Sequence, residues 1–178
     1  MTIRAAVAVL LTLLFCVPSN ALAESDSSRL NQERKVIGRS LLEMQAANWQ
    51  ALLPYYSEDV EYHDPVVTVQ GIEAMGGFLA RLFAQSPDLV TLIEEETCIN
   101  GIYSASWLME GSFAGVPYRA KGMSIIKFRD RGTQVYYQRD YYSEGDIMLQ
   151  IPGLAEPTAA FRDYYRCAVD PTAFCPPQ

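Results

Sequence analysis

The spacing of apolar and polar positions changes part-way along the chain. From about Ser28 to Asn48, Leu30, Ile37, Leu41 and Met44 recur at steps of seven, four and three, which makes one apolar stripe on a helix. A second, short helix is predicted over Trp49–Tyr56, broken by Ser57-Glu58-Asp59. Val60–Asp64 then reads as a short strand, stopped by Pro65, which has no N–H to give to a ladder. Gly71 precedes a third helix whose apolar face is Ile72, Met75, Phe78, Leu79, Leu82 and Phe83, and Ser86-Pro87-Asp88 ends it. Beyond that point the pattern is one of strands: Leu89–Ile99, Ile102–Phe113, Tyr118–Phe128 and Thr133–Tyr142. They are separated by Asn100-Gly101, Ala114-Gly115-Val116-Pro117 and Asp130-Arg131-Gly132, turn signals that predict an antiparallel meander. A last helix is expected from Ala155 or Glu156 to Cys167. Helices first and an antiparallel sheet afterwards define an α+β layout.

The N-terminus stands apart. Arg4 is followed by an apolar run, Ala5–Val17, too short to span a membrane, and then by Ala21-Leu22-Ala23, a small-x-small cleavage site. We therefore expect a signal peptide over 1–23, a mature chain beginning at Glu24, and a periplasmic or secreted location. A single domain over 24–155 and a C-terminal helix with a Cys/Pro-rich tail over 156–178 complete the expected organisation. The formal net charge of −7 argues against nucleic acid and against anionic membrane surfaces as partners.

Export permits disulfides, and Cys167 and Cys175, which flank a short Pro-containing loop, are expected to pair. Cys98 lies in a strand and reads as a buried free thiol. With one histidine and no Cys/His cluster, no metal site is expected. Phosphate loops and dinucleotide fingerprints are absent too, so no cofactor is implied.

The candidate chemistry centres on Tyr136-Tyr137-Gln138-Arg139-Asp140-Tyr141-Tyr142. Strand alternation places Tyr136, Gln138, Asp140 and Tyr142 on one face, and Tyr137, Arg139 and Tyr141 on the other. If the first face lines an enclosed space, Asp140 is a carboxylate among phenols, with the perturbed proton affinity of an acid or base. The alternative is an exposed strand with an Asp–Arg surface pair. Asp64 is either a general base or the acceptor of an Asp-Pro turn. His63 beside it faces the other way unless the strand bends at Pro65. Tyr103, Trp107 and Met109 alternate with polar neighbours as core or pocket wall, and Tyr62 and Tyr142 could donate hydrogen bonds into the same space.

Two segments carry a family resemblance. Tyr55-Tyr56-Ser57-Glu58-Asp59-Val60-Glu61-Tyr62-His63-Asp64-Pro65-Val66, followed by Gly71 and a helix, is the first; Tyr137-Gln138-Arg139-Asp140-Tyr141-Tyr142 is the second. With the order of elements, they resemble the nuclear transport factor 2-like superfamily over roughly Ser28 to Ile151. That group includes ketosteroid isomerase, limonene-epoxide hydrolase and the SnoaL-like polyketide cyclases. The resemblance implies a strongly curved sheet packed on N-terminal helices as a cone with an open mouth. Asp64-Pro65-Val66 matches the general-base segment of ketosteroid isomerase, but that enzyme's oxyanion donors are replaced by Ser40 and Ser124. Gln138-Arg139-Asp140-Tyr141 is similar to the Trp-Arg-Asp-Tyr strand of limonene-epoxide hydrolase. That enzyme's Arg-x-Asp strand has no counterpart in Ser104–Glu110, where Glu110 is the one acid on offer.

These readings converge on a pocket for a small hydrophobic molecule, with Asp140 and Asp64 as candidate catalytic acids. Tyr62, His63, Tyr103, Trp107, Met109 and Tyr142 are the candidate ligand contacts. The chemistry implied is a cofactor-independent isomerisation, cyclisation or epoxide opening. A non-catalytic binding protein and a homodimeric interaction module pairing through the sheet stay open beside it.

Overall fold

The computed structural model describes residues 19–113, 115–170 and 172. Residues 1–18 and Cys175 lie outside that range, and with them the first 18 residues of the expected 1–23 leader and the Cys167–Cys175 pairing. Helix α1 spans Ser19–Leu42, α2 Trp49–Leu52 with a 3-10 turn over Leu53–Tyr55, and α3 Ile72–Gln85. Strands β1 (Tyr56–His63) and β2 (Thr68–Gln70) lie between α2 and α3. Strands β3 (Val90–Ile99), β4 (Ile102–Phe113), β5 (Val116–Phe128) and β6 (Val135–Tyr142) follow. Helices α4 (Glu144–Met148) and α5 (Ala155–Val169) complete the order.

One six-stranded sheet runs β2-β1-β6-β5-β4-β3 and curls without closing. The meander β3–β6 is antiparallel, as the turn signals require. At the first hairpin Asn100 and Gly101 both take positive φ, 52° and 75°, which suits a tight two-residue turn. The sheet as a whole is mixed rather than antiparallel. β1 pairs in parallel with β6, Tyr62 opposite Gln138 and His63 opposite Arg139. This long-range pairing places the two motif strands side by side.

The core fills the concave side. Ile37 and Leu41 of α1, Met75, Leu79 and Phe83 of α3, and Tyr103, Trp107 and Ile126 of the sheet are buried together. Helix α1 fastens the end of the sheet that carries the β3–β4 and β5–β6 turns. The buried Arg34 donates to three carbonyls of the β5–β6 turn: Arg129 at 2.6 Å, Asp130 at 2.9 Å and Gly132 at 2.9 Å. Asn31 Oδ1 accepts from Gly101 N at 3.2 Å in the β3–β4 turn. Toward the other end of β5, Gln150 ties the segment after α4 to that strand. Its Nε2 donates to Arg119 O at 2.7 Å, and its Oε1 accepts from Arg119 N at 2.9 Å.

Candidate functional site

The cavity has a volume of about 460 Å³. Helix α3 supplies Phe78 and Leu82 to its wall, β4 Met109 and Phe113, α4 Ile147, and the segment after α4 Ile151. Two carboxylates, Asp64 and Asp140, face this apolar space, with the Tyr62 and Tyr142 phenols beside them. A smaller inner space of about 70 Å³, lined in part by Trp107, Tyr56 and Met75, shares Tyr62, Met109 and Asp140 with the outer cavity. Asp140 therefore stands where the two spaces meet.

Alternation along β6 accounts for this placement. Gln138 is buried, Asp140 and Tyr142 are half-buried toward the cavity, and Arg139 and Tyr141 are exposed on the outer face. Asp140 sits directly across from Ser124 of β5. Ser124 Oγ donates to Asp140 Oδ1 at 2.6 Å, Gln138 Nε2 donates to the same oxygen at 3.1 Å, and Tyr62 Oη donates to Oδ2 at 3.0 Å. Behind these donors are others. Trp107 Nε1 donates to Ser124 Oγ at 2.8 Å, and Tyr56 Oη donates to Gln138 Oε1 at 2.7 Å.

The polarity of this network is fixed at its source. An indole N–H can only donate, so Ser124 must pass its own hydrogen on to Oδ1. Oδ1 thus accepts from Ser124 and Gln138, while Oδ2, the oxygen beside Tyr62, has a second and longer contact with Gln138 Nε2 at 3.4 Å. Burial pushes the Asp140 carboxyl above its ordinary range; Ser124, Gln138 and Tyr62 pull the other way, and the Asp64 charge adds to the rise. Tyr62 is held well above the usual phenol value, by burial first and then by Asp140 and Asp64, so it stays a hydrogen donor.

Asp64 reaches the cavity in a different state. Its Oδ1 accepts from Val66 N at 2.7 Å and Val67 N at 2.6 Å, the bonds of an Asx-type turn before β2. Its Oδ2 accepts from Tyr62 Oη at 3.3 Å. Its Oδ1 is thus taken up by the turn, which fixes the side chain in place.

Three expected contacts need separate treatment. His63 does not line the cavity: it shares the outer face with Glu61, whose Oε1 lies 2.5 Å from its Nε2, and packs on Tyr137 at 5.7 Å. Strand parity prevails, because the bend at Pro65 comes after His63. Tyr103 is also elsewhere. It lies fully buried beneath Gly38 of α1, with its hydroxyl donating to Glu96 at 2.8 Å. Glu110 is exposed and pairs with Arg119 at 3.0 Å on the surface, so it does not supply an inward acid. Trp107, Met109, Tyr62 and Tyr142 do line the joined spaces.

Of the inner donors, Ser124 was expected only as the counterpart of an oxyanion donor and Gln138 only as a neighbour on the Asp140 face; neither was expected to bond Asp140, and Tyr56 was not expected at the site. The Ser124 contact could have been found from register, as the residue opposite Asp140. Tyr56 could not, because it arrives through the parallel β1–β6 pairing. Among the described residues no group of three or more His, Cys, Asp or Glu side chains could hold a metal ion.

The sequence profile of the SnoaL-like domain family matches residues 39–137, more than half of the chain. No curated protein of known sequence matches it. Solved structures share the fold at low identity. One is a hypothetical protein with a ketosteroid isomerase-like fold from Catenulispora acidiphila, in complex with trimethylamine. It is 21% identical, with 64% of this chain and 90% of that one covered, at a TM-score of 0.58. A candidate SnoaL-like polyketide cyclase from Jannaschia is 18% identical over 70% of this chain and 94% of that one, at 0.60. An epoxide hydrolase of limonene-epoxide hydrolase type from Mycobacterium tuberculosis is 10% identical over 74% and 94%, at 0.61.

Proposed function

Since the chain belongs to the SnoaL-like domain family, we propose that it binds a small hydrophobic molecule in the outer cavity, where Asp140 Oδ2 exchanges a proton with that molecule. One observation carries this reading. A half-buried carboxylate, held at Oδ1 by Ser124 and Gln138 and at Oδ2 by the Tyr62 phenol, lines an apolar cavity. Burial raises its proton affinity above that of an ordinary aspartate, the direction that acid or base work needs. Asp64 anchors the entrance and keeps Tyr62 in place. The reaction classes that fit are isomerisation, cyclisation and epoxide opening. Structural neighbours that include a candidate polyketide cyclase and an epoxide hydrolase agree with this range.

A turnover screen over epoxides, enones and lactones, run with the wild type and Asp140→Asn, tests the reading. A positioned acid or base contributes about 10²–10⁴ in rate, so the variant should lose at least about a hundredfold. Equal rates would remove Asp140 from the chemistry. Binding without turnover in either protein would leave a ligand-binding protein of the same fold.

The same reading places the protein outside the cytoplasm, supported by the apolar run 5–17 ahead of Ala21-Leu22-Ala23. Sequencing of the mature N-terminus should start at Glu24. A homodimer through the outer sheet face is supported by the exposure of Leu92 (51%), Met123 (42%) and Tyr141 (43%) there. Sedimentation of the wild type against Met123→Glu tests it, since a charge at that position should shift a dimer toward monomer.

A further inference from the structure

The buried tryptophan of β4 makes a contact that core packing alone does not require. Trp107 is fully buried, and its Nε1–H donates to Ser124 Oγ at 2.8 Å. A phenylalanine would fill an apolar core without bringing in a donor that needs a partner. The register explains how the indole reaches that hydroxyl. Trp107 pairs with Gly122 of β5, and Ser124 lies two residues further along, opposite Asp140 of β6. A Cβ at position 122 would run into the Trp107 ring, 2.6 Å from Cζ2, and would lie 2.5 Å from Tyr141 O. The missing side chain lets the indole lie across β5 and extend diagonally to Ser124. Ala105, which faces Ser124 from β4, is small as well.

Among the described residues, Trp107 lines the inner space but not the outer cavity. Its route to Asp140 is through Ser124, whose hydroxyl donates to Oδ1 at 2.6 Å. A hydroxyl that accepts from an N–H is polarised into a stronger donor. Burial pushes the Asp140 carboxyl up, and Ser124 is the foremost of the donors that oppose it. The other titratable groups that act on Asp140 or feel its charge are Asp64, Tyr56, Tyr62 and Tyr142. Burial holds all three phenols above their ordinary range, which leaves Asp64 as the acid to control for.

We propose that Trp107 is a positioning residue for Asp140 and not a ligand contact: seated over Gly122, its indole fixes the Ser124 hydroxyl as a one-way donor and holds the carboxylate where the two spaces meet. Its use in chemistry rests on the Asp140 reading above. Nuclear magnetic resonance of the full mature chain, labelled at the tryptophan indole nitrogens and the aspartate carboxyl carbons, tests the role. The chain has two tryptophans, Trp49 and Trp107, so Trp49→Phe assigns the indole signals. Across the acid range the Trp107 N–H signal should shift with the same midpoint as the Asp140 carboxyl. That step should persist in Asp64→Asn and vanish in Asp140→Asn and in Ser124→Ala. Ser124→Ala should also raise the Asp140 midpoint by about one pH unit, as loss of a hydrogen bond to a charge implies. Trp107→Phe should raise it by a smaller step. An indole signal that ignores Asp140, or keeps its step in Ser124→Ala, overturns the role; so does an unmoved Asp140 midpoint in folded Trp107→Phe. The wild-type signal needs no core substitution, so misfolding of a variant does not decide the outcome. If the indole follows Asp140 while Asp140→Asn turns over substrate as fast as the wild type, the catalytic reading falls and the positioning role stands.

Discussion

Asp140 is held by opposing forces of known sign. Burial favours its neutral form, and three donors favour the carboxylate, with burial prevailing. An unfolded aspartate titrates near 3.9. Between that value and the raised native one, the folded chain holds a proton that the unfolded chain has released. Asp140's contribution to stability is therefore full below the window and declines as pH rises through it. Urea unfolding of the wild type and Asp140→Asn across the acid range should show a stability difference that moves in the variant's favour as pH rises. A difference independent of pH would mean the native and unfolded carboxyls titrate alike. Asp59 acts with the opposite sign. The Arg129 guanidinium, with Ser57, pulls it down to about 2, so its stabilisation is lost as pH falls from about 4 toward that value. The two effects occupy different pH ranges and can be read separately.

At the scale of elements, the seat of α1 on the sheet depends on a missing side chain. A Cβ at Gly38 would lie 2.5 Å from the Tyr103 ring. Alanine in place of glycine normally favours a helix by about 1 kcal/mol. Overpacking a tight core costs about 1–3 kcal/mol. Tyr103 cannot give way easily, since it is fully buried and its hydroxyl is bonded to Glu96. Steric cost should win, and Gly38→Ala should lower the thermal midpoint. An unchanged or raised midpoint would show that α1 can shift on β4.

Elements with local causes were legible in the sequence, and those set by distant partners were not. The meander strands announced themselves through Asn100-Gly101 and Asp130-Arg131-Gly132, and α3 through its apolar face. Gln138, Asp140 and Tyr142 shared a face by alternation alone. The parallel β1–β6 pairing has no turn to betray it, and so Tyr56 escaped notice. Tyr103 had the same alternating signature as Trp107. What separates them is that α1 covers one and the cavity reaches the other. Ser86 read only as part of a helix stop, because a serine in Ser-Pro-Asp carries no mark of being buried without a partner.

For the whole molecule, the two ends of the curled sheet are fastened in different ways. The end with the β3–β4 and β5–β6 turns is clamped by Arg34 and Asn31 onto turn backbone. On the cavity side, the segment carrying Ile147 and Ile151 lines the space, with Gln150 joined to both backbone groups of Arg119. Amide exchange should accordingly be slower around residues 101 and 128 than around 147–151.

The Gln150 tie also bears on the tempo of ligand exchange. Its amide imitates one rung of a ladder, with no charge on either side, so salt has little leverage on it. Stopped-flow measurement of dissociation of a neutral probe, 1-adamantanol, should give rates nearly independent of ionic strength in the wild type. They should be several-fold faster in Gln150→Ala, about what the loss of one or two neutral hydrogen bonds allows. If the cavity binds a ligand as proposed above, the timing of release is then set by a glutamine, and not by Asp140 or Asp64.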